Sequence, residues 1–127
     1  MEQYLIDNNV ISNYFSGLFT EKAMRFVGKV IDQIPNISVI TVIEALSWRS
    51  SDRKKEAIVK MFVDDANVLT LSPDIVSRCV AIRRSQKIKI PDAIIAATAI
   101  VHGFTLITSD SDFKNIQELK IVDPYSL

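Results

Sequence analysis

The sequence predicts an α/β fold, a three-layer α/β/α sandwich around a short, mostly parallel sheet of four or five strands. Two observations predict it. Short apolar runs alternate along the chain with stretches whose apolar residues recur at helical spacing. The first four of these runs are separated by helical stretches, which require crossover connections and place helices on both faces of a parallel sheet.

Tyr4-Leu5-Ile6 reads as a short buried strand. Val10, Ile11, Tyr14, Phe15 and Leu18 then recur at helical spacing. A second helix presents Ala23, Phe26, Val27, Val30, Ile31 and Ile34 on one face, and Pro35-Asn36 stops it. Ile37 to Ile40 forms the next strand, and Thr41 opens a helix running to about Arg49. The following helix turns Ala57, Ile58, Met61 and Phe62 inward and keeps Lys54, Lys55 and Lys60 on other faces. Val68 to Leu71 is a third strand. Ser72 then caps a helix with Pro73 in its first turn, and that helix buries Ile75, Val76, Cys79, Val80 and Ile82. Pro91 starts the next helix and Gly103 ends it. Phe104 to Ile107 is the fourth strand, and Lys120-Ile121-Val122 is the candidate fifth.

The chain has 127 residues and a mass of 14.3 kDa, which fits a single domain over residues 1–127. Its 48% hydrophobic content excludes a disordered chain, and three Gly and four Pro exclude low-complexity character. One Cys and one His exclude an internal disulfide framework and a Cys- or His-rich metal site, so any metal must be held mainly by oxygen. Fifteen Lys and Arg balance fifteen Asp and Glu, so net charge does not select a partner. The acidic N-terminus does not read as a signal peptide. The longest apolar stretch, Ala93 to Val101, is too short to span a membrane, so a cytoplasmic protein without membrane attachment is expected.

Five acids stand at the places where open parallel sheets build sites, beyond the carboxyl ends of strands. Asp7 directly follows the first strand, Glu44 lies in the first turn after the second, and Asp110 and Asp112 follow the fourth. Asp92 opens the helix leading into that fourth strand, so it starts near the same edge. Each acid also has a structural explanation. Thr41-x-x-Glu44 has the form of a capping box, Asp92 suits the first turn of a helix, Asp7 can cap the helix after it, and Asp110-Ser111-Asp112 can start a short helix. Convergence of all of them is harder to explain by capping alone. Two carboxylates ~5 Å apart repel by roughly 3 kcal/mol at an effective dielectric of ~20. A divalent cation would relieve that, and all-oxygen ligation favours Mg²⁺ or Mn²⁺.

Four segments carry a resemblance to a known family: Tyr4 to Ile11, Ile40 to Leu46, Ile90 to Ala99, and Leu106 to Phe113. In order, spacing and total length they resemble the PIN-domain ribonucleases, and in particular the VapC toxins of bacterial toxin–antitoxin pairs. The resemblance implies a PIN-like fold and a metal-dependent endoribonuclease that hydrolyses RNA with metal-activated water, leaving 5′-phosphate and 3′-hydroxyl ends. It implies that Asp7, Glu44, Asp92 and Asp110 are the catalytic, metal-binding quartet for one or two Mg²⁺ or Mn²⁺ ions, with Asp112 as an additional metal residue. Asn9 and Thr108 would orient the carboxylates from outside. Asn8 stands where the family often has Thr or Ser. The implied partners are an RNA substrate, a small cognate antitoxin that wraps the toxin, and a second copy in a homodimer.

Arg78, Arg83, Arg84, Lys87 and Lys89 form a basic run that leads to Asp92. Such a run is commonly a solvated face, but Arg83, Arg84, Lys87 and Lys89 are also placed to hold an RNA backbone. His102 precedes Gly103, where a helix end favours a cation, and Cys79 reads as a buried, inert thiol. The alternative readings are a non-catalytic PIN-like module that binds RNA or protein, and a phosphoacceptor or Asp-based phosphatase domain. The latter is disfavoured by Asn8-Asn9 after Asp7, where such a phosphatase usually has a second Asp two residues on.

Overall fold

A computed structural model describes residues 2–127. The order of elements is β1 (Tyr4–Ile6), α1 (Asn8–Phe15), α2 (Glu21–Asp32), β2 (Asn36–Ser38), α3 (Val39–Ser47), α4 (Arg53–Asp65), β3 (Asn67–Leu69), α5 (Pro73–Ser85), α6 (Ile90–His102), β4 (Thr105–Ile107) and β5 (Ile121–Val122). Short 3₁₀ turns occupy Ser111–Phe113 and Pro124–Ser126. The sheet has five strands in the order β3-β2-β1-β4-β5, and every pairing is parallel. The predicted fold class is therefore observed, with the fifth strand present.

Period-two alternation along each strand feeds two separate cores. Ile6, Ile37 and Ile107 face a core completed by Val10 and Ile11 of α1, Ala23 and Val27 of α2, and Val59, Phe62 and Val63 of α4. Leu5 and Leu106 face the opposite core, with Ile75 and Ile82 of α5 and the alanine-rich face of α6. In α6, Ala93, Ala96, Ala97 and Ala99 are all buried, so this helix lies close against sheet and α5 alike. It ends at Gly103, whose φ of 70° is the left-handed conformation that glycine adopts without a Cβ penalty.

Several sequence expectations are corrected. In α4 the buried face is Val59, Phe62 and Val63, whereas Ala57, Ile58 and Met61 are exposed. The same heptad-like spacing fits both faces, and packing chose the one carrying Phe62 and the β-branched pair. In α5, Ile75 and Ile82 are buried, but Val76 and Val80 are exposed and Cys79 is half-buried. Ile34 is exposed because α2 ends at Asp32 and Ile34 falls in the turn beyond it. Leu18 and Leu71 are exposed in loops, outside the helix and strand expected to hold them.

The second strand is also shorter than expected. It ends at Ser38, and Ser38, not Thr41, is the N-cap of α3, its Oγ accepting from the Ile40 amide at 3.1 Å. Thr41 therefore sits inside the first turn of α3, and the capping box of Thr41 with Glu44 does not form.

Candidate metal centre

All-parallel pairing puts the carboxyl ends of β1, β2 and β4 on one edge. Ile6 pairs with Ile107, and the ladder continues one residue further, the Asp7 amide donating to the Ile107 carbonyl at 3.1 Å. Asp7 thus leaves the sheet at a fixed height. It turns the chain into α1 as its N-cap, with Oδ1 accepting from the Asn8 amide at 2.9 Å. Its Oδ2 accepts from the Thr108 hydroxyl at 2.7 Å. Both carboxylate oxygens are held, yet each keeps a lone pair for a cation.

Thr108 in turn accepts from the Asp110 amide at 3.1 Å, and Asp110 Oδ1 accepts from the Asp112 amide at 2.9 Å. This chain of bonds shapes the turn after β4 and carries Asp110 and Asp112 over the sheet edge. Asp92 reaches the same place from the first turn of α6, where Lys89 provides no side-chain cap. One carboxylate oxygen from each of Asp92, Asp110 and Asp112 lies within 4.8 Å of the other two. Glu44, one turn after Thr41 on α3, is exposed, and neither it nor Asp7 belongs to that group of three.

Charge effects link the five acids. Asp7 is buried, and its carboxyl is pushed above the usual range mainly by desolvation. Bonds from Thr108 and Asn8 oppose that rise, and Asp110 and Asp92 add to it. Glu44 is raised by burial first and then by Asp7 and Asp92. Asp92 is raised by burial, then by Asp110 and Asp112, with Lys89 pulling it back. The ion pairs among the described residues are Arg25–Glu21, Lys60–Asp64 and Arg78–Glu118, and none neutralises these five acids. A cluster of hard oxygen donors with an unbalanced negative charge fits a hard divalent cation. Asn9 Oδ1, two residues after Asp7, is a buried polar atom without a partner at this same edge, consistent with a site that holds a further polar group.

The basic run divides. Arg83, Lys87 and Lys89 line one cleft together with Asp92 and Asp112. Arg83 also donates from Nε to the Ile88 carbonyl at 3.2 Å and so ties the α5–α6 loop to the end of α5. Arg84 does not reach that cleft; it lines a separate depression with Cys79, Val80 and Ile90. Arg78 is paired with Glu118 at 2.7 Å. Lys55, read from the sequence as standing off the inward face of its helix, and Trp48 line a groove of about 260 Å³ between α1, α3 and α4, together with Asn8, Phe15, Glu44 and Ile58. His102 is stacked on Phe104 with ring centroids 5.3 Å apart, at the far end of α6 from Asp92. Burial raises the Cys79 thiol, in keeping with an inert side chain.

Residues 4–119 match the PIN domain family. No curated protein sequence matches the chain. Among solved structures, a toxin–antitoxin complex from Klebsiella pneumoniae is similar, with a TM-score of 0.76 and 32% identity, covering 97% of this chain and 98% of that one. FitAcB from Neisseria gonorrhoeae (TM-score 0.78, 22% identity, 98% of this chain and 100% of that one) shares the fold. So does DNA-bound VapBC from Salmonella typhimurium (TM-score 0.78, 21% identity, 98% and 99%).

Proposed function

The chain belongs to the PIN-domain family, and from that premise we propose that it is a metal-dependent endoribonuclease and the toxin of a toxin–antitoxin pair. The observation that carries this reading is the cluster of Asp92, Asp110 and Asp112, with Asp7 and Glu44 close enough to feel its charge and no ion-paired Lys or Arg among the five. In this reading Asp7, Glu44, Asp92 and Asp110 hold one or two Mg²⁺ or Mn²⁺ ions and Asp112 supports them. When bound, the cation supplies Lewis acidity toward phosphoryl oxygens and activates water for hydrolysis.

The remaining tasks belong to the chain. Thr108 and the Asn8 amide hold the Asp7 carboxylate in one orientation, so it does not have to be ordered when a cation arrives. Lys87 and Lys89, with Arg83 bracing their loop, hold RNA phosphates beside the scissile one. No imidazole or thiol is needed as nucleophile, which suits a site where His102 and Cys79 stand apart.

The Klebsiella relative is described as a toxin–antitoxin complex, which supports an antitoxin as the partner here. We place that antitoxin in the groove walled by Phe15, Trp48 and Ile58, whose rim reaches Glu44. Exposed Val76 and Val80 of α5 and Ile90 of α6 supply an apolar face for a second copy in a homodimer. Among the described residues no helix is long and apolar enough to cross a membrane.

The test is cleavage of total cellular RNA by antitoxin-free protein with Mg²⁺ or Mn²⁺, with EDTA, and with Asp92→Asn alongside. Discrete metal-dependent fragments that folded Asp92→Asn fails to make are the expected result. Wild-type cleavage by the folded variant, or no cleavage by folded protein with any metal, would overturn the reading and favour a non-catalytic binding module.

A further inference from the structure

Four threonines are buried among the described residues: Thr41, Thr98, Thr105 and Thr108. Three of them donate their hydroxyls at 2.7 Å, Thr98 to the Ile94 carbonyl, Thr105 to Glu2 and Thr108 to Asp7. Thr41 is 0% exposed and its Oγ1 has no partner. A buried hydroxyl without a partner is disfavoured, so most are satisfied by a neighbouring group. The usual local solution, a bond back to the carbonyl four residues earlier as Thr98 makes, is not taken, because residue 37 lies in β2 and not in the helix.

Residues three apart share a helix face, and side chains lean toward the helix N-terminus. Glu44 therefore shares a helix face with Thr41; it is exposed in the structure, yet Asp7 and Asp92 lie close enough to perturb it. The only other buried side-chain atom without a partner among the described residues is Asn9 Oδ1, two residues after Asp7. Both unpartnered atoms stand within three residues of an acid of the cluster.

We propose that Thr41 is the positioning residue for Glu44, its buried hydroxyl donating to the Glu44 carboxylate when that carboxylate turns inward to a divalent cation. Thr41 then does for Glu44 what Thr108 does for Asp7. The proposal rests on the metal-centre reading above, because an inward Glu44 needs a cation to offset Asp7 and Asp92. The hydroxyl acts twice over: it selects one Glu44 rotamer, and it loses its own unpartnered state as metal binds.

The test uses Thr41→Val, which keeps the shape and removes the hydroxyl, and Thr41→Ser, which keeps the hydroxyl. Mn²⁺ binding is measured by calorimetry on full-length protein, together with the melting temperature of the metal-free form. Thr41→Val is expected to melt at or above the wild-type temperature without metal and to bind Mn²⁺ about tenfold more weakly, the lower end of the usual effect of an outer partner. Thr41→Ser is expected to bind within about twofold of wild type. Wild-type affinity in Thr41→Val, or equal weakening in both variants, would overturn the role of the hydroxyl while leaving the metal centre standing. Absence of Mn²⁺ binding by wild-type protein would instead overturn the metal-centre reading and this inference with it.

Discussion

Thr108 and Asp7, 101 residues apart in sequence, are joined by a 2.7 Å hydrogen bond wholly inside the protein. It links the ends of the central strand β1 and its neighbour β4, at the point where both leave the sheet. The bond favours the ionised form of a carboxylate whose burial favours the neutral one. Thr108→Val should remove that counterweight. Metal affinity and RNA cleavage should both fall by about 10–100-fold, and stability by about 1.5–3 kcal/mol, the range for a hydrogen bond to a charged group. Thr108→Ser should retain most of each. Urea unfolding and Mn²⁺ calorimetry on the two variants check this.

Asp92→Asn removes one charge from a crowded set. The ionised Asp92 carboxylate is disfavoured in the fold by burial, Asp110 and Asp112. The metal-free variant should therefore melt at or slightly above the wild-type temperature. It should also lose the rise that Mn²⁺ gives the wild type, about 2.7 kcal/mol when free metal exceeds Kd a hundredfold. A thermal melt series with EDTA and with Mn²⁺ measures both differences.

The pH dependence follows with a definite sign. Asp7, Glu44 and Asp92 all have carboxyls raised in the folded state. Between the ordinary carboxylate range and those raised values the folded chain binds more protons than the unfolded one, so this contribution to stability falls as pH rises through the window. Metal-free protein should lose stability from these groups as pH rises above the ordinary carboxylate range, about 4. The slope should be shallower in Asp92→Asn, and saturating Mn²⁺ should offset it. Denaturant unfolding across that range, with and without metal, separates the three cases.

Lys87→Ala with Lys89→Ala removes two cations from the cleft shared with Asp92 and Asp112. RNA binding should weaken, and the slope of log K against log salt should become shallower by about 1.4, from ~0.7 per phosphate contact on single strands. Cleavage at saturating RNA should change little. Arg84→Ala, outside that cleft, should leave the slope unchanged. Binding titrations at several salt concentrations decide it.

The order of strands and helices was legible in the sequence because each element carries its own period and its own stop signal, such as Pro35 or Gly103. The acids were legible because each stands at a fixed offset from a strand end. The faces of α4 and α5 were not. Ile58 and Met61 lie three apart, as do Val59 and Phe62, and only the position of the sheet decides which pair is buried. The cap of α3 was misplaced because Ser38 and Thr41 both have capping side chains, and strand pairing of Ser38 with Leu69 fixed where β2 ends. Lys55 could not be placed in the groove it shares with Glu44, since that depends on how α4 lies against α3.

The parallel pairing of β1 with β4 also sets a schedule. Tyr4 meets Thr105 only after the intervening hundred or so residues have been made, and contacts of such long separation form slowly. A chain emerging from the ribosome carries Asp7 and Glu44 well before it carries Asp92 and Asp110. The five acids can therefore come together only at the close of synthesis.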